Sequence, residues 1–172
     1  MVNSHYSMEV GPRGTRKVPC PATLECSKRP IVIQPVEIDR IQRVPNPPRL
    51  DQWLDARAPV KRGAGYEVKV HSGAHDGVEN TRGLASRRTV LQIRVDSEKR
   101  VELQVRPGER AFLIVLSGAG RIEGDDTAVK GDDVVWFKPV TGVECAFLGL
   151  EADIDIEALL YSEQSPSAGV LR

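Results

Sequence analysis

Two histidines, His71 and His75, stand four residues apart with Asp76 and Glu79 close behind, and they form the only histidine cluster in the chain. On one face of a helix, such a pair and a nearby carboxylate could hold zinc or iron. Ser72, Gly73 and Ala74 between them spell a turn, however, so the residues favour a surface loop over a metal site. Three cysteines, Cys20, Cys26 and Cys145, are too few and too irregularly spaced for a zinc site. Cys20 and Cys26 could close a local disulfide, although two thiols in a loop fit an odd, low count better. Glu151, Asp153, Asp155 and Glu157 alternate with Ala152, Ile154, Ile156 and Ala158, which reads as a strand with one wet face rather than a cation site. Gly118, Gly120 and Gly124 resemble a dinucleotide-binding loop only superficially. The spacing is one residue too long, and Asp125-Asp126 follows where a helix N-terminus would have to hold the phosphates. Arg82, Arg87, Arg88, Lys99 and Arg100 make a local basic cluster; without interleaved aromatics it reads as a solvated face.

The 172 residues include 24 basic and 24 acidic side chains. Zero net charge argues against bulk electrostatic capture of nucleic acid. The balance hides an asymmetry. Residues 1–110 hold 20 basic against 13 acidic residues, and residues 111–172 hold 4 against 11. An apolar fraction of 40% with 28% charged residues fits one globular domain. No run approaches the length of a membrane span, and the N-terminal residues lack the apolar core of a secretory signal. Together with the cysteine count, this points to the cytoplasm.

The elements that must position any site change character along the chain. Nine of the twelve prolines precede residue 60, which excludes long helices and central strands there. Residues 1–30 read as extended, 31–34 as a short edge strand, and 50–56 as one helical turn with Trp53 and Leu54 packed on the main body. From Tyr66 onward, β-branched runs recur between glycine-bearing turns. Strands are expected over 66–72, 88–95, 100–106, 110–117, 120–123, 133–138, 143–149 and 153–161, a spacing that argues for an all-β sandwich or barrel. The run Ala111–Leu116 is continuously apolar, so it should lie centrally with both faces covered.

Residues 102–139 then read ELQVRPGERAFLIVLSGAGRIEG, followed after four residues by VKGDDVVWFKP. This stretch resembles the cupin superfamily of RmlC-like double-stranded β-helix (jelly-roll) barrels. The likeness rests on the Leu116-Ser117-Gly118 turn after an apolar strand, on Gly120, on the Gly131-Asp132 turn before Val134-Val135, and on Pro139 with Gly142. It is most like the C-terminal cupin domain of pirin-like proteins, through Ala111-Phe112, the run from Val68 to Gly73, and Gln52-Trp53-Leu54 followed by Lys61. The resemblance covers roughly residues 50–162. It implies an N-terminal arm over 1–61, a barrel over 62–162, a C-terminal tail over 163–172, and a homodimer. The arm is expected to wrap the barrel or a partner subunit.

Many cupins hold one metal with a His-x-His pair, a glutamate and a later histidine. Aligned on Gly118 and Gly142, those positions fall on Gln104, Arg106, Ala111 and Cys145, which are no such ligand set. The resemblance therefore implies no metal and no cofactor. It implies a lumen lined by Gln104, Arg106 and Cys145 as candidate catalytic groups, with Ala111, Leu113, Val143 and Phe147 as pocket walls. Arg106 would suit an acidic or carbonyl-containing small molecule, and Gln104 would orient it. The expected function is metal-independent binding of such a molecule, with lyase, isomerase or cyclase chemistry within its scope. The alternative is a non-catalytic, pirin-like interaction or regulatory protein, its lumen plugged by Phe112, Phe147, Trp136 or Leu113. A metal-dependent oxygenase using His71, His75 or Cys145 is the least favoured reading. Neither nucleic acid nor a membrane is an expected partner.

Overall fold

The computed structural model describes residues 33–43, 54–81, 88–124, 126–139 and 141–164. All regular structure among them is β: β1 (Ile33–Pro35), β2 (Ile38–Arg43), β3 (Val60–Gly63), β4 (Tyr66–His75), β5 (Val78–Asn80), β6 (Arg88–Val95), β7 (Arg100–Val105), β8 (Glu109–Ile122), β9 (Thr127–Lys130), β10 (Asp133–Phe137) and β11 (Cys145–Gln164). The main path runs β2-β10-β8-β11-β6-β4-β3, with β1 and β7 on β11, β5 on β4 and β9 on β8.

β8 and β11 organise this fold. The expected pairs 110–117 with 120–123, and 143–149 with 153–161, are each one long strand. The first part of β11 pairs with β7 and, in parallel, with β1. The last part lies between β8 and β6. Three register shifts between Ala152 and Ala158 bend β11 from one layer into the other. β8 turns opposite them at Gly118 and Gly120. A Cβ on Gly118 would overlap the carbonyl oxygen of Asp155, and one on Gly120 that of Glu151. Gly118 also has a φ of +85°, which a side chain would strain. The turn expected between two strands is thus a corner within one.

Period-two alternation fills the interior. Val68 and Val70 of β4, Leu91, Ile93 and Val95 of β6, and Val101, Leu103 and Val105 of β7 join one apolar core. So do Ala111, Leu113 and Val115 of β8, and Ala146, Leu148, Leu150, Ala158 and Leu160 of β11. The opposite face of β8 is apolar too, with Phe112, Ile114 and Leu116 packing against Val134, Trp136 and Leu159. Phe112 lies 4.8 Å from Tyr161 and 4.9 Å from Trp136, and Arg40 sits over the Trp136 ring. Both faces of Ala111–Leu116 are therefore covered, and β8 lies between β10 and β11 as a central strand.

The bulges also account for one departure. Ile154, expected to alternate inward, is 62% exposed, because a register shift on each side of it breaks the period. The acidic side chains around it are engaged separately. Arg121 bonds Asp153, Ser97 N–H bonds Asp155, and Gln92 bonds Glu157. Of the basic cluster, Arg88 pairs with Glu163 and Arg100 with Glu102 and Glu123. Arg82 and Arg87 lie outside the described residues, as do Trp53, Cys20, Cys26 and most of the expected helical turn. No helix is long and apolar enough to cross a membrane.

Replacing Gly118 by Ala adds a steric conflict with the β11 backbone to the cost of a positive φ. Gly108 has a similar φ of +77° with open space where its Cβ would lie. Gly118→Ala is expected to cost about 2 kcal/mol or more beyond Gly108→Ala, read as the difference in urea-unfolding free energy.

Candidate functional site

Strand alternation divides the expected pocket between two faces of the sheet. On β7, Val101, Leu103 and Val105 point inward, so Glu102, Gln104 and Arg106 point outward. On β11, Ala146 and Leu148 point inward, while Phe147 is the cross-strand partner of Gln104. Gln104 and Cys145 do meet: Gln104 Nε2 donates to Cys145 Sγ at 3.2 Å, on the outer face beside Phe147. Cys145 is buried and Phe147 half-buried. Arg106 is exposed at the end of β7, where its carbonyl accepts from Glu109 N–H. Ala111 and Leu113 lie in the core on the other face, with Val143 packed against that core.

The inward residues at or next to the positions aligned in the sequence are thus Leu103, Val105, Ala111 and Ala146. Each is one residue off, or in line with, the sequence alignment, and all are hydrocarbon. They do not fit an iron, manganese or zinc centre of that kind. Among the described residues, no three histidine, cysteine or carboxylate side chains gather elsewhere.

His71 and His75 are strand residues, not loop residues, and both are buried. Their even separation would put them on one face of a regular strand. A register shift between Val70 and Ser72 reverses the parity. His71 faces outward, where its Nδ1 accepts from Asp55 N–H at 2.8 Å. Its Nε2 therefore carries the proton and donates to Gln92 Oε1 at 3.2 Å, and Gln92 Nε2 donates to Glu157 at 2.8 Å. Beyond the bulge Gly73 faces inward: a Cβ there would lie 2.7 Å from Thr89 Oγ1. His75 shares that face with Val78, its partner across the β4–β5 turn, and Val78 packs on the core. Asn80 ties down the bulge by donating to the Val70 and His71 carbonyls.

A polar row therefore crosses one end of the barrel on its inner face. Thr89 of β6 pairs with Ser162 of β11, Ser162 pairs with Ala111 of β8, and Glu109 is the next inward residue of β8. All three polar residues are buried. Glu109 is 2% exposed, and among the described residues Ser162 Oγ donates to it at 2.7 Å. His75 stands at the same end, 5% exposed. Burial pushes its imidazole below the usual value, against the attraction of Asp76 and with a small contribution from Lys61. It is thus a neutral ring at pH 7. Glu109, Ser162 and Thr89 were not singled out in the sequence. The signal was present: Glu109 and Ser162 continue the period-two series Ala111-Leu113-Val115 and Ala158-Leu160 by one step.

Outside the barrel, Asp55, Arg57, Pro59, Glu79, Asn80 and Thr81 line an open groove of about 330 Å3. Its polar groups are partly committed, Asp55 to Arg57 N–H and Asn80 to the bulge.

No protein-family model matches the chain, and no curated protein matches it by sequence. Solved structures do match. GK1651 from Geobacillus kaustophilus superposes with a TM-score of 0.62 at 23% identity, over 66% of this chain and 46% of that one. Quercetin 2,3-dioxygenase from Acinetobacter baumannii superposes with a TM-score of 0.55 at 20% identity, over 62% and 36%. These likenesses show a shared all-β fold, the one that the sequence resemblance implied. An RmlC-like cupin from Shewanella frigidimarina superposes more loosely, with a TM-score of 0.44 at 10% identity over 68% and 93%. The chain spans less than half the length of the first two proteins. At these identities the cupin likeness concerns the fold alone, and the inward residues decide the chemistry.

The depressed His75 imidazole makes stability depend on pH in a definite direction. The unfolded chain binds a proton near pH 6.5 that the folded chain refuses until lower pH, so stability is full above 6.5 and falls as pH drops below it. Urea midpoints measured from pH 7.5 to 5 should decline more in the wild type than in His75→Gln, which lacks the titration.

Proposed function

We propose that this is a metal-independent, cupin-like protein that binds a small molecule at the end of its barrel, where Thr89, Ser162, Glu109 and His75 face inward. One observation carries the reading. Glu109 is buried on the inner face and bonded by the Ser162 hydroxyl, where most other inward groups among the described residues are hydrocarbon. Burying a charge costs heavily unless its hydrogen-bonding capacity is met. A bound ligand meets it. Cupin relatives that bind or transform small molecules, such as the quercetin dioxygenase, make this use of the fold reasonable.

The inward groups alter the ligand expected from the sequence. Arg106 was the reason to expect an acidic or carbonyl-containing molecule, and its guanidinium lies outside the barrel. The hydroxyl of Thr89 still suits a carbonyl. Glu109 and neutral His75 are both proton-transfer groups, so lyase, isomerase or cyclase chemistry on the bound molecule belongs to the same reading. A cytoplasmic homodimer remains part of the proposal.

A second reading, the non-catalytic interaction protein, draws support from the packed interior. Leu113 fills the lumen with the other core residues, while Phe112, Trp136 and Phe147 lie on outer faces. It leaves the buried carboxylate without a purpose.

Methyl-detected NMR with a fragment library distinguishes the two. Binders should shift the methyl groups of Val78, Thr89, Ala111 and Val143. Glu109→Gln should weaken a binder that contacts the carboxylate about tenfold or more, and Arg106→Ala should change nothing. Shifts confined to the Gln104–Cys145 face, or none at all, contradict the proposal.

A further inference from the structure

Independently of the barrel end, we infer that the outer face of β10, β8 and β11 is the docking surface for a proline-rich stretch of this same chain, residues 44–53, laid across a row of aromatic rings. Arg40, Trp136, Phe112, Tyr161 and Val90 stand opposite one another in register across β2, β10, β8, β11 and β6. The Phe112 ring lies between those of Trp136 and Tyr161, and the Arg40 guanidinium sits 5.1 Å from the centre of the Trp136 ring. The next row on this face is Val134, Ile114 and Leu159. These three are only 5%, 2% and 4% exposed, and the outer face of a sheet is that dry only beneath another layer. Leu54 reaches it, beside Val90, Phe112, Ile114, Leu159 and Tyr161. One leucine, itself 40% exposed, does not cover two rows of side chains.

The occupant follows from where the chain leaves this sheet and where it returns. β2 ends at Arg43, opposite Asp133, on the edge beyond β10. Leu54 lies over β8, β11 and β6, and Asp55 after it donates its N–H to His71 of β4. Residues 44–53 thus join one edge of the sheet to the middle of the same face. Three strand spacings of about 4.8 Å separate β2 from β11, and ten extended residues reach about 33 Å, so the chain is long enough to cross β10 and β8. Both ends are tethered to the face, which gives this stretch an effective concentration that a second molecule does not match. Its sequence is Val44-Pro45-Asn46-Pro47-Pro48-Arg49-Leu50-Asp51-Gln52-Trp53. Prolines favour polyproline II, a preformed helix that docks on aromatic-lined surfaces at low entropic cost and whose carbonyls have no internal partners. The face offers the matching donor. Trp136 Nε1 is buried and has no acceptor among the described residues, and a carbonyl of the docked stretch would meet it.

NMR of the full chain tests this. Nuclear Overhauser contacts are expected between the δ-protons of Pro45, Pro47 or Pro48 and the ring protons of Trp136 or Phe112. A mixture of labelled and unlabelled chain should show those contacts to be intramolecular. The Trp136 indole proton should exchange slowly with solvent. Replacing Pro47 and Pro48 together by glycine should speed that exchange about tenfold, because the looser stretch loses more backbone freedom on docking, while the amide spectrum of β6 and β7 stays in place. Proline–aromatic contacts between different chains would assign the face to a second copy and overturn the inference. The absence of any such contact overturns it as well, and so does an indole exchange rate that the double substitution leaves unaltered. None of these readouts involves Glu109 or Ser162, so their failure leaves the barrel-end proposal standing.

Discussion

The close approach of two backbones at one corner governs this fold. β8 and β11 are each long enough to belong to both layers, and they bend together where Gly118 and Gly120 lie against the carbonyls of Asp155 and Glu151. No side chain fits between them. With the corner fixed, the start of β11 is delivered to β7 and its end to β6. The inward parity of every central strand follows, because a strand's faces alternate without exception until a bulge intervenes. The apolar set from β4, β6, β7, β8 and β11 then closes into one core.

The proposed site is a consequence of running that alternation past the end of the core. The strands contribute mostly hydrocarbon until they near that end. There β6 supplies Thr89, β11 supplies Ser162, β8 supplies Glu109 and, after its bulge, β4 supplies His75. Glu109 and Ser162 bond one another. The outer face is arranged differently. Gln104 with Cys145 and the His71–Gln92–Glu157 chain join neighbouring strands, while Tyr161 bonds Glu163 along β11 itself. The Tyr161 hydroxyl, pushed up to about 12 by burial and by Glu163, stays protonated as the donor of its pair.

How much of this was legible in the sequence depends on whether a bulge or a corner intervenes. The all-β barrel, the doubly covered Ala111–Leu116 strand, and the inward Leu91-Ile93-Val95 and Val101-Leu103-Val105 series follow from period two, and the structure has them. The pocket set mixed two faces because it was placed by counting from glycines across turns. One residue of offset exchanges Gln104 for Leu103 and Cys145 for Ala146. His71 and His75 could not be assigned to faces, since the bulge between Val70 and Ser72 has no signature in local composition. Ile154 was misplaced for the same reason. Strands β3, β5 and β9 are three or four residues long, too short for periodicity to reveal.

The inner face carries the hydrocarbon of Leu103, Val105, Ala111 and Ala146 beside the positions where the sequence resemblance would put metal ligands, and the proposed site lies instead at the polar end of the barrel. Elemental mass spectrometry of the purified, untagged protein, before and after equilibration with iron, manganese, nickel and zinc followed by desalting, tests this most directly. Retention of far less than one equivalent of any metal is the result the account predicts. Near-stoichiometric retention of one metal would contradict it, because no three ligating side chains gather among the described residues.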